Sequence, residues 1–272
     1  MENLDLVLLR EWFTGFCSSF RLSDPEEQRN LALKEEHTSR VCANIRRIAR
    51  EEALGKERET LAEAIALFHD LGRFPQYCRY KTFKDSASVN HALLGAEILA
   101  QAKALDKMPR NAHHIIIDSV RHHNAFAAPA GLDAERALYL RLIRDADKLD
   151  IWRVFLEFYR LPQEERASAV SLDFHDLPGC SAEVLAAIGR REMVRLSSVK
   201  SLNDFKLLQL SWVFDLNFPT SFRMLAEREY ISGLEAVLPP GEEVLRAVEA
   251  VRGFAKSCGE SGAGGGACMT SA

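Results

Sequence analysis

The residues best suited to chemistry in this chain are its histidines and the acids beside them. His37, His69, His91 and the adjacent pair His122 and His123 succeed one another at intervals that put them on, or at the ends of, separate helices. Asp70 directly follows His69, and Asp145, Asp147 and Asp150 crowd into Asp145-Ala146-Asp147-Lys148-Leu149-Asp150. Imidazole and carboxylate together are common donors to a divalent ion such as Mn, Fe, Co, Ni or Zn, and both must point inward from rigid elements to hold one. A single buried histidine is usually a satisfied core residue. A whole series on successive helical faces, with an acid run behind it, is more than a core needs. His113 and His114 open a helix and read as surface or capping residues. His175-Asp176 repeats the His-Asp dipeptide, but it falls in the loop-like stretch Ser171 to Gly179 without a helical stripe and is set aside as coincidence.

The elements that must carry these donors read as helices, because apolar residues recur at three- and four-residue intervals and seldom alternate. Ser23 or Asp24 caps a helix that begins at Pro25 and runs to about Leu54, with Leu33, His37, Val41, Ile45 and Ile48 on its inner stripe. Thr60 is placed to cap a second, with Leu61, Ile65 and His69 on one face and Gly72 as its stop. A third follows Ser86 or Ser88 and carries His91, Leu94, Gly95, Ile98 and Leu99. A fourth spans about Asn111 to His123, before the small-residue loop Asn124 to Gly131. A fifth spans about Asp133 to Tyr159 and is apolar on most sides, so it should be central; its acids then require partners or a metal. Beyond Pro162 the pattern loosens as far as Ser201 and resumes in helices near 204–216, 219–238 and 241–257. The expected fold class is therefore all-α. We expect a single domain over 1–257, with a metal-site core at about 30–160, a C-terminal helical extension at about 161–257, and a flexible Gly-rich tail at 259–272.

Composition narrows the possible roles. The 272 residues hold 35 Lys+Arg against 39 Asp+Glu, a formal net charge of −4, which argues against duplex nucleic acid as a partner. A hydrophobic fraction of 47% supplies a true core and excludes wholesale disorder. No apolar run reaches the ~18 to 20 residues of a membrane span, and Glu2 and Asp5 stand where a secretory signal would be basic, so a cytoplasmic protein is expected. The six cysteines, at 17, 42, 78, 180, 258 and 268, form no CxxC pair and read as reduced thiols, with Cys258 and Cys268 candidates for exposure beside the tail.

The ordered set His37, His69-Asp70, His91, His122-His123 and the late Asp resembles the HD superfamily of metal-dependent phosphohydrolases over roughly 30–160, about half the chain. The resemblance implies an HD-type helical bundle with additional C-terminal helices. It also implies one ion held by His37, His69, Asp70 and Asp147, with Asp147 preferred over Asp145 because an Asp-Lys step recurs in dNTP triphosphohydrolases of the superfamily. In two-metal relatives the pair's Asp bridges both ions, which implies a second site at Asp70, His91, His122 and His123. The HD-GYP cyclic-di-GMP phosphodiesterases place a Glu after the His-His pair and a Gly-Tyr-Pro shortly beyond. Here Asn124 and Ala125-Phe126-Ala127-Ala128-Pro129 follow, so cyclic-di-GMP is not the expected substrate. Those enzymes also often carry Lys three residues after the pair's Asp, where this chain has Arg73.

The activity implied is hydrolysis of a small phosphorylated molecule, a nucleotide above all. Such a site is net positive and attractive to phosphate; one ion acidifies the attacking water and the other steadies the charge that develops. Asp70, Arg73 and Lys148 are the expected catalytic residues, and Arg121, Arg144 and Tyr77 the expected substrate contacts. Asp150 is placed to orient a liganding histidine. The segment from Phe74 to Asp85 should lie over the metal mouth as a loop, its aromatic and basic residues offering a stack for a base and a hold on phosphate. Trp212, Phe214, Phe218, Phe222 and Tyr230 should pad the core or a homodimer interface. Two other classes fit the same residues: a regulatory module that holds a nucleotide without turnover, and a di-iron oxygenase.

Overall fold

The computed structural model describes residues 6–106, 108–162 and 174–261, and among these there are helices and turns but no strand. Two compact units emerge, one from residues up to Asp150 and the other from Ile151 onward.

In the first unit, α1 (Leu6–Ser18) buries Leu9, Phe13 and Cys17, one residue per turn along a single stripe. α2 (Pro25–Glu51) starts where Asp24, not Ser23, accepts a hydrogen bond from the Glu27 amide at 2.8 Å, and Pro25 opens it because the first turn has no use for its missing N–H. α3 (Lys56–Phe68) begins a turn earlier than a Thr60 cap would allow. Gly55, at φ 85°, turns the chain into it, and the Thr60 hydroxyl donates instead to the Lys56 carbonyl at 2.8 Å inside the helix. The segment expected to be a loop is largely α4 (Arg73–Tyr80): Pro75 lies in its first turn, where it breaks nothing. A 3-10 turn at Asp85–Ala87 leads to α5 (His91–Gln101), which Asn90 caps in place of the expected serines, its side-chain oxygen accepting from the amides of Ala92 at 3.0 Å and Leu93 at 3.2 Å. α6 (Arg110–His122) and α7 (Ala134–Arg160) follow closely where the periodicity put them.

α2 packs on α3 and α5 on α6, while α3 also meets α1 and α6, and α4 sits against α2 and α5. Ile45, Ile48, Ile65, Phe68, Ile116 and Val120 are fully buried between them. Each such side chain stabilises the fold by about 1.5–3 kcal/mol before conformational entropy is charged against it. The α7 residues Leu142, Ile143, Ala146 and Leu149 are equally buried, and Asp145 and Asp150 are buried among them, as a central helix requires.

The second unit contains the last part of α7 with α8 (Ala182–Gly189), α9 (Leu202–Ser211), α10 (Pro219–Glu227), α11 (Tyr230–Glu235) and α12 (Glu242–Ser261). The single helix expected over 219–238 is two, because Glu229 adopts a left-handed φ of 53° and breaks the run. Trp152 stands 6.2 Å from Trp212 and 5.9 Å from Tyr230 between ring centres, and Phe254 packs against Phe214 and Phe222, so these C-terminal aromatics line the unit's interior. Because α12 continues to Ser261, Cys258 is buried rather than exposed. The expected tail beyond 261, with Cys268, lies outside the described residues, and the five described cysteines are all free thiols. No described helix is long and apolar enough to cross a membrane.

Candidate metal centre

Two groups of donors meet at one carboxylate. His37, His69 and Asp70 form the first and Asp70, His91 and His123 the second, the donor atoms within each lying within 4.8 Å of one another. Asp70 turns a different oxygen to each. Its Oδ2 is 3.6 Å from both His37 Nε2 and His69 Nε2, while its Oδ1 is 3.4 Å from His91 Nε2 and 3.9 Å from His123 Nε2. Asp147 joins the first group, with Oδ1 at 3.0 Å from His37 Nε2 and 3.7 Å from His69 Nε2. Atoms bound about 2.1 Å from one ion stand about 3.0–3.4 Å apart, so these separations suit a shared cation with little adjustment.

Local structure fixes which nitrogen of each ring faces inward. His69 and His123 both follow the last residue of a helix, and each donates its Nδ1 hydrogen to the carbonyl three residues back, Ala66 at 2.7 Å and Val120 at 2.8 Å. His37 Nδ1 donates to Asp150 at 2.7 Å, and His91 Nδ1 to Asp85 at 2.7 Å. With every Nδ1 so engaged, all four rings turn Nε2 inward, His37 toward His69 at 3.3 Å and His91 toward His123 at 3.1 Å, and each ring that is neutral presents a bare lone pair there. Asp147 Oδ1 is buried there without a hydrogen bond. Lone pairs facing lone pairs in a buried place repel unless positive charge lies between them, and a divalent cation supplies it.

The electrostatics agree. Burial, with Arg73 adding to it, holds His91 down at about 4, and burial together with His69 holds His123 at about 4; burial also lowers His69. Burial and Lys34 oppose protonation of His37, but Asp147 and Asp150 outweigh them and raise it to about 9. Burial works against ionised Asp70, yet Lys34, His69, Arg73 and His91 keep it well below the usual carboxylate range, and Asp147 is lowered through His37 and His69 against the same burial. Three rings are thus neutral donors, and the fourth sits where two carboxylates call for a positive charge.

Gly72 allows the groups to meet. A Cβ on Gly72 would stand 2.0 Å from the His91 carbonyl oxygen and 2.8 Å from the Gly95 amide nitrogen, so only glycine lets the turn after His69-Asp70 lie against the start of α5.

The remaining expected residues are placed differently. His122 is half-buried and outside both groups: neighbouring residues on a helix point about 100° apart, and His123 is the one that faces in. Arg73 Nη1 donates to Asp85 at 2.9 Å, to Gln76 at 3.0 Å and to the Phe83 carbonyl, with Nε 3.5 Å from Asp70 Oδ1. Arg144 is buried and donates to the carbonyls of His123, Ala125 and Phe126, which ties down the end of α6. Tyr77 is buried, its hydroxyl accepting from Asn30 at 2.8 Å. Lys148 is buried in α7, and Arg121 is half-buried in the last turn of α6. His175 stays outside the centre, in the segment before α8, where its carbonyl accepts from Leu202 at 2.9 Å.

Sequence reasoning missed Asp85 and Lys34. Asp85 also accepts from Gln76 at 2.9 Å and Asn124 at 3.1 Å, and, burial notwithstanding, His91 and Arg73 bring it down to about 2. Lys34 lies 2.9 Å from Asp70 Oδ2. The available signal for each was proximity along the chain to a donor: Lys34 precedes His37 by three residues on one helical face, and Asp85 precedes His91 by six.

Residues 35–152 match the HD domain family. That stretch contains every metal donor named above, and its His/Asp cluster has the make-up of an HD-type metal site. No curated protein and no solved structure matches the chain.

Proposed function

We propose that this protein is a metal-dependent phosphohydrolase acting on a small phosphorylated molecule, with nucleotides as the favoured class, at a two-ion site. The observation that carries the reading is Asp70, whose two oxygens face two separate pairs of inward imidazole nitrogens. His37, His69, Asp70 and Asp147 would hold one ion, and Asp70, His91 and His123 the other; donors of this kind suit Mn, Fe, Co, Ni or Zn. Bound there, divalent ions supply an acidified water and an electrophilic hold on a phosphoryl oxygen.

The protein's own residues do the rest. Asp150 and Asp85 hold His37 and His91 with Nε2 inward, and the Ala66 and Val120 carbonyls do the same for His69 and His123. Arg73, bonded to the Phe83 carbonyl and to Asp85, keeps the segment after α4 beside the centre, where the Phe83 ring lies 5.3 Å from the Lys34 ammonium and 5.9 Å from the Arg73 guanidinium. Aromatic faces beside cationic side chains suit a base joined to a phosphate.

The test is elemental analysis of protein purified without chelator, followed by phosphate release from mono-, di- and triphosphates. Close to two ions per chain with phosphate release is the expected result. Oxygen uptake without phosphate release would replace the reading with an oxygenase, and tight nucleotide binding without turnover would replace it with a binding module.

A further inference from the structure

Lys34 stands one turn ahead of His37 on the inner face of α2. Its ammonium nitrogen is 2.9 Å from Asp70 Oδ2 and 5.3 Å from the centre of the Phe83 ring, and its side chain is 17% exposed. It is therefore at the border of the centre, with solvent on one side and the shared carboxylate on the other. An ammonium has three N–H donors, and here Asp70 takes one and the Phe83 face holds the charge from below. Two other cations of this region are held by the protein itself: Arg73 by Asp85, Gln76 and the Phe83 carbonyl, and Arg144 by three carbonyls at the end of α6. Lys34 also lies one residue ahead of the stretch that matches the HD family, so nothing in that match assigns it a role.

We propose that Lys34 is the phosphate anchor of this site, its ammonium binding a nonbridging oxygen of the substrate's phosphoryl group while that group is held beside Asp70. The inference rests on the phosphohydrolase reading and adds to it a residue that touches substrate. A compact charge on a flexible stem can follow a phosphoryl oxygen as the group changes shape, which a guanidinium fixed by four contacts cannot.

The test uses the metal-loaded full chain with Lys34→Met and Lys34→Arg, read by metal content, by calorimetric titration with inorganic phosphate, and by separate kcat and KM values. Lys34→Met should keep the wild-type metal content, bind inorganic phosphate about tenfold more weakly, and raise KM more than it lowers kcat, as loss of one charge-assisted hydrogen bond would. Lys34→Arg should recover most of the phosphate affinity. Unchanged phosphate affinity in Lys34→Met overturns the proposal, and so does loss of metal in that variant, which would make Lys34 a support for Asp70 alone. A wild-type protein that neither binds nor releases phosphate overturns the phosphohydrolase reading, and this inference with it. Wild-type turnover that survives Lys34→Met without a change in KM overturns the inference only.

Discussion

Both units bury charged and polar side chains, and Asp204 in the second unit and Asp147 in the first are treated in opposite ways. In the second unit Asp204 is buried, and both its oxygens are spoken for: the Ser181 amide at 2.7 Å, the Ser181 hydroxyl at 2.7 Å and the Lys200 amide at 3.0 Å. Lys206 in the same unit donates to Asn203 at 3.0 Å and to the Val237 carbonyl at 2.7 Å. In the first unit Asp147 Oδ1 is buried without a hydrogen bond, and the neutral imidazoles of His69, His91 and His123 turn bare nitrogens inward. Buried polar groups cost stability unless they are paired, and pairing is what Asp204 and Lys206 achieve. Acceptors gathered without donors mark a place built for something the chain itself does not supply. Burial of a charge is thus uninformative alone; what distinguishes a structural group from a functional one is whether its lone pairs are used.

Substitutions can break that contrast at either end. The largest effect belongs to Asp70→Ala, which removes the carboxylate common to both groups: elemental analysis should find both ions lost and phosphate release at background, with helical circular dichroism retained. Retention of full metal content would refute the shared-carboxylate assignment. Next comes Asp150→Ala, which leaves the donors in place but frees His37 to rotate; loss of such an orienting partner typically costs about 10–100-fold in metal affinity, measurable by competition with a chromogenic chelator. Asp204→Ala should act only on folding. Losing its hydrogen bonds should cost about 1–3 kcal/mol and lower the melting temperature by a few degrees, while metal content stays at the wild-type level. The smallest effect is expected for His122→Ala, with metal content and affinity unchanged; a loss of one ion per chain there would return His122 to the second group.

Much of this was legible beforehand, because helical periodicity and the order of His37, His69-Asp70, His91, His123 and Asp147 are properties of the chain itself. What escaped has identifiable physical reasons. Thr60 and Ser86 look like caps because hydroxyl residues often are, but a hydroxyl can also bond back within a helix, and Asn90 caps α5 with two amides on one oxygen. The segment from Phe74, expected to be a loop joining two helices, holds a short helix of its own, and Pro75 is no obstacle to it because proline is tolerated in a first turn. Arg144, an expected substrate contact, directly precedes the acid run, and its guanidinium is bonded to three carbonyls at the end of another helix. Lys34 and Asp85 stand near His37 and His91 in the chain, but that proximity does not name their roles, because the contacts of Lys34 with Asp70 and of Asp85 with Arg73 and Asn124 are made by tertiary packing.

Gly72 carries a consequence for anyone who would make this protein more robust. At φ −64° its backbone is ordinary right-handed helix, the kind of position where replacing glycine by alanine usually gains stability by restricting the unfolded chain. Gly95, inside α5, is the same kind of target. A programme of thermostabilisation guided by backbone angles alone would choose both, and the methyl group added at Gly72 would drive α5 off the turn that presents Asp70. The distance between the two halves of the centre is set by a side chain that is not there, so that spacing would be the first property such a programme lost.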